Sequence, residues 1–239
     1  MSVLQSLCEK NVAQVGTLYV VATPIGNLSD LSLRAIGILS TCDCIACETP
    51  RVTQKLLQAL QIKPKSLFTY RDSGEIKSAQ HLVDKLNAGQ SVALVSDAGT
   101  PTISDPGYRL VRLCHENHIP IIPVPGPNAA ITGMSISGFP SNQFVFLGFL
   151  PQKKSHKQKL LEAYHPSSAT LILYESPHRL LSLLEILQAV FEPETNIFIA
   201  RELSKINETF YRGPLAKIAE EIQAKAPRGE YVILIAPTA

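Results

Sequence analysis

The chain reads as an α/β protein of two domains, an N-terminal domain built on a parallel sheet and a C-terminal domain built on a mixed sheet. Three observations predict this. Short, nearly continuous apolar runs recur at 18–22, 44–47, 66–70, 92–95 and 121–124. Each is followed by a polar loop and then a helical pattern with no hairpin dipeptide between runs, the texture of βαβ units whose strands are covered on both faces. Past the stretch Ser137-Gly138-Phe139-Pro140-Ser141-Asn142 the strand-like runs follow one another less regularly, which marks a second domain of mixed strand direction.

Taken in order, residues 1–16 are a lead-in, 17–138 the first domain and 139–239 the second. The first run ends in Thr23-Pro24-Ile25-Gly26-Asn27, and Ser29-Asp30 caps a helix to about residue 39. The second run enters Glu48-Thr49-Pro50-Arg51 and a helix to about residue 60. The third enters Arg71-Asp72-Ser73-Gly74 and a helix that ends near Gly89, a glycine placed for a helix C-terminus. The fourth crosses Ser96-Asp97-Ala98-Gly99-Thr100-Pro101 before Asp105, as N-cap, and Pro106, as first helical residue, restart a helix. The fifth leads to Pro125-Gly126-Pro127-Asn128 and a helix ending near Gly138. In the second domain 144–150, 170–174, 196–200 and 231–236 are strand-like, 209–212 adds a short strand, and 179–190 and 215–224 are helical.

Composition narrows the function classes. The 239 residues are 45% apolar and 18% charged, with no low-complexity run, as in a soluble globular protein. A formal charge of +2 is too small for bulk attraction to nucleic acid, so such a site must be a local patch. One candidate is Lys153, Lys154, Lys157 and Lys159 with His156, at the end of a segment, 117–161, without a single acidic residue. It reads equally as a phosphate-backbone contact or as a solvated interdomain loop. The N-terminus lacks the basic start and apolar core of a signal peptide, and no apolar run reaches membrane-spanning length, so a cytoplasmic protein with no membrane partner is expected. Five cysteines, an odd number, fit reduced thiols. Cys42, Cys44 and Cys47 lack a fourth ligand at a recurring spacing and read as small apolar residues of a strand, so no metal is expected.

Loops that follow parallel strands emerge at one edge of the sheet, where α/β proteins bind ligands. The loops after the first, second, fourth and fifth runs therefore line one crevice. No G-x-G-x-x-G follows the first strand, and neither a phosphate loop nor G-x-S-x-G is present. Instead Thr23-Pro24-Ile25-Gly26-Asn27-Leu28, Ser96-Asp97-Ala98-Gly99-Thr100-Pro101 with Asp105-Pro106-Gly107, Pro125-Gly126-Pro127 with Ala129-Ala130, Tyr174-Glu175-Ser176, Ala200-Arg201-Glu202-Leu203-Ser204-Lys205 and Gly229-Glu230-Tyr231 stand in order along residues 18–236. Together they resemble the signatures of the ribosomal RNA small subunit methyltransferase I family, within the tetrapyrrole-methylase-like superfamily of S-adenosylmethionine enzymes.

The resemblance implies two α/β domains of the tetrapyrrole methylase type with the donor cleft between them, a homodimer, S-adenosyl-L-methionine as cofactor, and 2′-O-methylation of a cytidine ribose in small-subunit (16S) ribosomal RNA. It places the donor's amino-acid end at the backbone of Gly99, Thr100 and Pro101, and its adenine near Pro125, Ala129 and Ala130 with Tyr174 close by. Pro24, Gly26, Ser96, Asp97 and Gly126 complete the donor set. Two departures stand out. The family pattern Glu-Asp-Thr-Arg is here Glu48-Thr49-Pro50-Arg51, and the small helical appendage that many members carry is not part of this sequence.

A ribose hydroxyl is a weak nucleophile until its proton is lost, so methyl transfer to it wants a base or a cation near the donor. The candidates are Glu48, Arg51, Asp105, Glu175, Arg201, Glu202 and Lys205. Asp105 also reads as a helix cap, and Glu202 with Lys205 as a solvated pair. Arg51 opens a helix against its dipole, a local cost that points to function. Arg51 and Lys205 are expected to face RNA, with the base either Glu48 or Glu202. Two alternatives remain: a methyltransferase of the same fold acting on a tetrapyrrole or other small molecule, and a non-catalytic RNA-binding or assembly protein that keeps the fold.

Overall fold

The computed structural model describes residues 10–71 and 75–237, which fall into two units, 1–128 and 129–239. Predicted loop residues Asp72, Ser73 and Gly74 and most of the lead-in lie outside the described residues.

The first unit holds strands β1 (Leu18–Val21), β2 (Cys44–Cys47), β3 (Leu67–Thr69), β4 (Val92–Val95) and β5 (Ile121–Val124). They form one sheet in the order β3-β2-β4-β1-β5, every pairing parallel. Helices α1 (Leu33–Thr41), α2 (Pro50–Ala59), α3 (Glu75–Asn87) and α4 (Tyr108–Glu116) connect them. Alternation explains why the strands read as solid apolar runs. Tyr19, Val21, Ile45, Cys47, Ala93 and Val95 face a core that includes Ala35, Ile38 and Leu57, whereas Leu18, Cys44, Ala46, Val92 and Leu94 face one that includes Leu82, Leu86 and Leu110. Both faces are dry, and each large side chain moved from water contributes about 1.5–3 kcal/mol. The helices after β1 and β2 cover one face and those after β3 and β4 the other, so the winding reverses between the neighbours β1 and β4.

The second unit holds β6 (Phe144–Phe149), β7 (Thr170–Glu175), β8 (Asn196–Arg201), β9 (Thr209–Pro214) and β10 (Tyr231–Ile235) in the order β6-β7-β10-β8-β9. Only β6 and β7 run parallel, and β10 lies antiparallel between β7 and β8. Helices α6 (Lys154–Tyr164), α7 (Pro177–Val190) and α8 (Leu215–Gln223) cover one face through Leu161, Leu180, Leu184, Leu187 and Ile218. Helix α5 (Ala129–Ser137) lies on the other, close enough that a Cβ on Gly133 would sit 3.2 Å from Val232 Cγ1.

Four details differ from the sequence reading. Helix α5 follows β5 in the chain but packs on β10 and β7, so the units divide at Asn128 rather than ten residues later at Gly138. Helix α4 starts at Tyr108 with Gly107 as N-cap, not at Pro106 after an Asp105 cap. The reason is local: Thr102 and Ser104 turn the chain through positive φ, and the helical trace resumes only beyond Gly107 at φ +142°. Ser32, not Ser29-Asp30, caps α1 by accepting from the Ala35 N–H at 3.1 Å. The basic segment forms α6, and Lys157 is buried on its inner face.

Candidate active site

In the first unit the loops after β1, β2, β4 and β5 are tied into one edge by hydrogen bonds. Thr23 and Gly99 exchange backbone bonds, the Thr23 N–H donating to the Gly99 carbonyl at 2.8 Å and the Gly99 N–H to the Thr23 carbonyl at 3.1 Å. This bridge joins the β1 and β4 loops at the point where the winding reverses. The Thr23 hydroxyl adds a bond to the Ser96 carbonyl at 3.2 Å, and the Ser96 hydroxyl donates to the Gly99 carbonyl at 3.1 Å. Asp97 Oδ1 accepts from the Thr49 N–H at 3.1 Å, and Thr100 Oγ1 donates to the Pro127 carbonyl at 3.0 Å, which brings in the β2 and β5 loops.

The predicted donor residues Ser96, Asp97, Gly99 and Thr100 therefore meet, and Pro24, Gly26, Pro101, Pro125 and Gly126 lie on the same loops. Their roles are more structural than a simple nest. Gly99 at φ +84° has both backbone groups engaged with Thr23, so its N–H is not free for a carboxylate. A Cβ on Gly126 would stand 3.0 Å from Ala22 Cβ, so that glycine lets the β5 loop lie on the end of β1. Among the described residues the N–H of exposed Ala98 has no partner, and Asp97 keeps Oδ2 unengaged. Thr23 and Thr49, which sequence reasoning passed over as site residues, are the cross-links; the signal was a threonine within two residues of the end of an apolar run.

Glu48 directly follows β2, and its carbonyl accepts from Arg71 Nε at 2.9 Å. Arg51, in the first turn of α2 behind Pro50, is exposed and makes no ion pair among the described residues. Buried thiols flank the sheet without metal-like company: no cluster that could hold a metal ion occurs among the described residues, and burial pushes Cys42 and Cys114 up to about 12.

In the second unit the sequence-selected residues collect where β7 and β8 end and β10 begins. Tyr174 Oη accepts from the Ala130 N–H at 2.9 Å, and Phe146 and Phe149 stand edge-on to its ring at 5.0 and 5.6 Å, which brings together Ala129, Ala130 and Tyr174. Glu202, at φ +55°, anchors a compact network. Its N–H donates to the Glu230 carbonyl at 2.9 Å, its Oε1 accepts from the Glu230 N–H at 2.9 Å and from Lys205 Nζ at 2.8 Å, and Lys205 also reaches Glu230 Oε2 at 2.9 Å. Burial pushes the Glu202 carboxyl up, but the bonds from Lys205 and the Glu230 N–H outweigh it, leaving its pKa lowered. For Lys205, burial pushes down and the two carboxylates outweigh it, so its pKa is raised. This is a pinned pair, stronger than a solvated one, and its carboxylate is a poor base.

Glu175 is fully enclosed. Its Oε1 accepts from the Ser176 N–H at 2.9 Å and lies 3.2 Å from Arg179 Nε, and its Oε2 lies 3.5 Å from buried Lys157. Lys157 is thus neither a phosphate contact nor part of a solvated loop. Its place four residues before buried Leu161, on one helix face, was the available signal.

The match that decides kinship is to the model of the Tetrapyrrole (Corrin/Porphyrin) Methylases, over residues 17–219. The chain belongs to this family. Among named tetrapyrrole methylase relatives, it is 46% identical over 222 residues to ribosomal RNA small subunit methyltransferase I of Synechocystis, covering 93% of this chain and 79% of that one. The proteins of the same name from Escherichia coli O157:H7 and Vibrio cholerae are 45% and 49% identical, covering 92% and 91% of this chain and 77% and 76% of theirs. Solved tetrapyrrole methylases share the fold. A cobalamin biosynthetic enzyme, cobalt precorrin-4 methyltransferase, superposes with a TM-score of 0.67 at 13% identity, covering 92% of this chain and 95% of that one. Uroporphyrin-III C-methyltransferase from Thermus thermophilus, complexed with S-adenyl homocysteine, does so with 0.62 at 17%, covering 91% and 96%.

Proposed function

We propose that the chain is an S-adenosyl-L-methionine-dependent methyltransferase that modifies a cytidine 2′-hydroxyl in small-subunit ribosomal RNA. The observation that carries this reading is the 45–49% identity, over more than nine-tenths of the chain, to proteins named for small-subunit ribosomal RNA methylation. The structural neighbours support the fold alone and leave the substrate to those relatives.

The chemistry of the first unit's edge fits the donor. The Ala98 N–H and the second Asp97 oxygen offer one donor and one acceptor for its amino-acid or ribose groups, beside Pro24, Gly26, Ser96, Gly99, Thr100, Pro101, Pro125 and Gly126. Within the second unit, Ala129, Ala130 and Tyr174 gather an apolar, aromatic surface of the kind on which a purine base packs. When bound, the donor presents a methyl group on a sulfonium. Because four loops are tied together before it arrives, little ordering is left to be done on binding. Of the two carboxylates weighed as base, Glu202 is held ionised and occupied, so the proposal gives proton removal to Glu48. Arg51 faces RNA phosphate, whereas Lys205, expected from the sequence to do the same, is spent on Glu202 and Glu230. The reading includes a homodimer, supported by the apolar residues Ile131, Ile136, Phe144 and Phe210 left exposed on the second unit, and a cytoplasmic site, where ribosomal RNA is made. Among the described residues no helix is long and apolar enough to cross a membrane.

The test is transfer from labelled donor to small ribosomal subunits lacking the mark, with the modified ribose mapped. Transfer to one cytidine 2′-hydroxyl is expected, with Glu48→Gln lowering kcat by about 10²-fold or more while donor affinity holds. Donor binding without transfer favours the non-catalytic protein, and transfer to a tetrapyrrole instead favours the small-molecule enzyme.

A further inference from the structure

At the amino end of β10 the second unit holds a cavity of about 350 Å³ lined by Arg201, Tyr211, Lys225, Pro227, Arg228 and Tyr231. Three elements build it. Tyr231 pairs with Arg201 across β10 and β8, and Tyr211 pairs with Ile199 across β9 and β8, so these side chains share one face of the sheet; the loop after α8 closes the cavity with Lys225, Pro227 and Arg228. Its volume lies within the range of small-ligand sites.

The charges in it are arranged for an anion. Arg201 spends its guanidinium on backbone carbonyls, Nε on that of Arg228 at 2.6 Å and Nη1 on that of Asn207 at 3.4 Å, so no carboxylate cancels its charge directly. The Arg228 backbone N–H donates to Tyr231 Oη at 3.1 Å, which sets the loop, while its exposed side chain makes no ion pair among the described residues. Lys225 lies 5.4 Å from the centre of the Tyr211 ring and is paired to Glu221 at 3.1 Å. Two guanidiniums beside an aromatic face are the elements by which single-stranded nucleic acid is held, phosphate on the fork and base on the ring.

We propose that this cavity is a nucleotide subsite: it receives one unpaired nucleotide of the RNA substrate, its phosphate on Arg228 and Arg201 and its base against Tyr211. The proposal rests on the RNA reading above. It names a contact surface outside the donor residues and separate from the basic segment of α6.

The experiment uses the full chain, a fluorescent single-stranded RNA of small-subunit sequence, a salt series, and a parallel titration of the donor. Arg228→Ala is expected to weaken RNA binding about tenfold and to reduce the salt slope by about one. Tyr211→Ala is expected to weaken it about tenfold with the slope unchanged, while Tyr211→Phe binds as the parent does. Donor affinity stays constant throughout. Arg228 is exposed, so its variant tests the site even if Tyr211→Ala fails to fold. Parental affinity and slope in both alanine variants would overturn the subsite and leave the RNA reading intact. A parent that binds donor but no RNA overturns both, as does a carboxylated tetrapyrrole that binds through Arg228 in place of RNA.

Discussion

The two sheet ends are held together by different means. At the edge of the first unit the cross-links are main-chain bonds and short hydroxyl or carboxylate side chains, Thr23 with Gly99, Asp97 with Thr49, Thr100 with Pro127. At the end of the second unit they are full charges, Lys205 with Glu202 and Glu230, and Glu175 with Lys157 and Arg179. The difference follows from topology. In a parallel sheet all strands deliver loops to one edge, and loop backbones lie close enough to bond each other. In a mixed sheet strand ends and strand starts alternate, and long side chains reach across. The first arrangement ties its loops together with short polar groups; the second is held by ion pairs, Glu175 and Lys157 enclosed and Lys205 with Glu202 and Glu230 partly open to water.

The sharpest way to break this contrast is to remove one charge from the second unit. Glu175→Ala leaves Lys157, only 3% exposed, without its carboxylate. Losing one partner of a buried pair costs about 3–5 kcal/mol, against about 1 kcal/mol for an ordinary hydrogen bond such as those of the first unit's edge. Urea denaturation is the measurement. A cost under about 1 kcal/mol would mean that the charges do not hold this end.

A smaller effect is expected at the first unit's edge, where geometry matters in place of charge. Gly107 sits at φ +142°, and a Cβ there would come within 2.8 Å of Leu94 Cδ2 and 2.9 Å of Thr102 Cγ2. Gly107→Ala is therefore expected to destabilise by about 1–3 kcal/mol and, because Thr102 lies on the β4 loop, to weaken donor binding as well. Gly89→Ala is the control: its φ of +83° is also strained, but a Cβ would meet nothing within 4 Å. It should cost about 1 kcal/mol and leave donor affinity alone. Equal loss of donor affinity in both would show that overall stability, not loop shape, governs donor binding.

The sequence showed one of these ends more clearly than the other. The parallel unit was legible because burial on both faces writes itself as solid apolar runs with a loop after each, and the loops of β1, β2, β4 and β5 do converge. What it did not show was that Gly99 would be consumed by a backbone bridge, since a left-handed glycine reads the same whether its N–H meets ligand or protein. In the second unit four main strands and two of the helices were legible. Helix α6 was not, because its lysine-rich start resembles a solvated loop, and Lys157 is buried only through its pairing with Glu175, a residue 18 positions away. Helix α5 was assigned to the wrong unit because chain order and packing part company there.

The smallest expected effect tests whether an ionic cross-link in the first unit, away from the loop edge, behaves like those of the second. Asp43 bonds Lys65 Nζ at 2.8 Å and the Ser91 hydroxyl and N–H at 2.7 and 2.9 Å, and these bonds, Lys65 first, lower its pKa from 3.8 to about 2. A carboxyl whose folded value lies below its unfolded value takes up protons more readily when unfolded. Its contribution is fully present above about pH 4 and is lost as pH falls through about 2. Urea midpoints measured from neutral pH downward should therefore show a drop over this window that Asp43→Asn reduces, with little difference between the proteins in slope above about pH 5. The Asp43 side chain is 36% exposed, so salt should shrink the effect, whereas the enclosed Lys157 and Glu175 pair should be nearly insensitive to salt. An acid limb that is identical in the two proteins would mean that Asp43 is bonded as tightly in the unfolded chain as in the sheet.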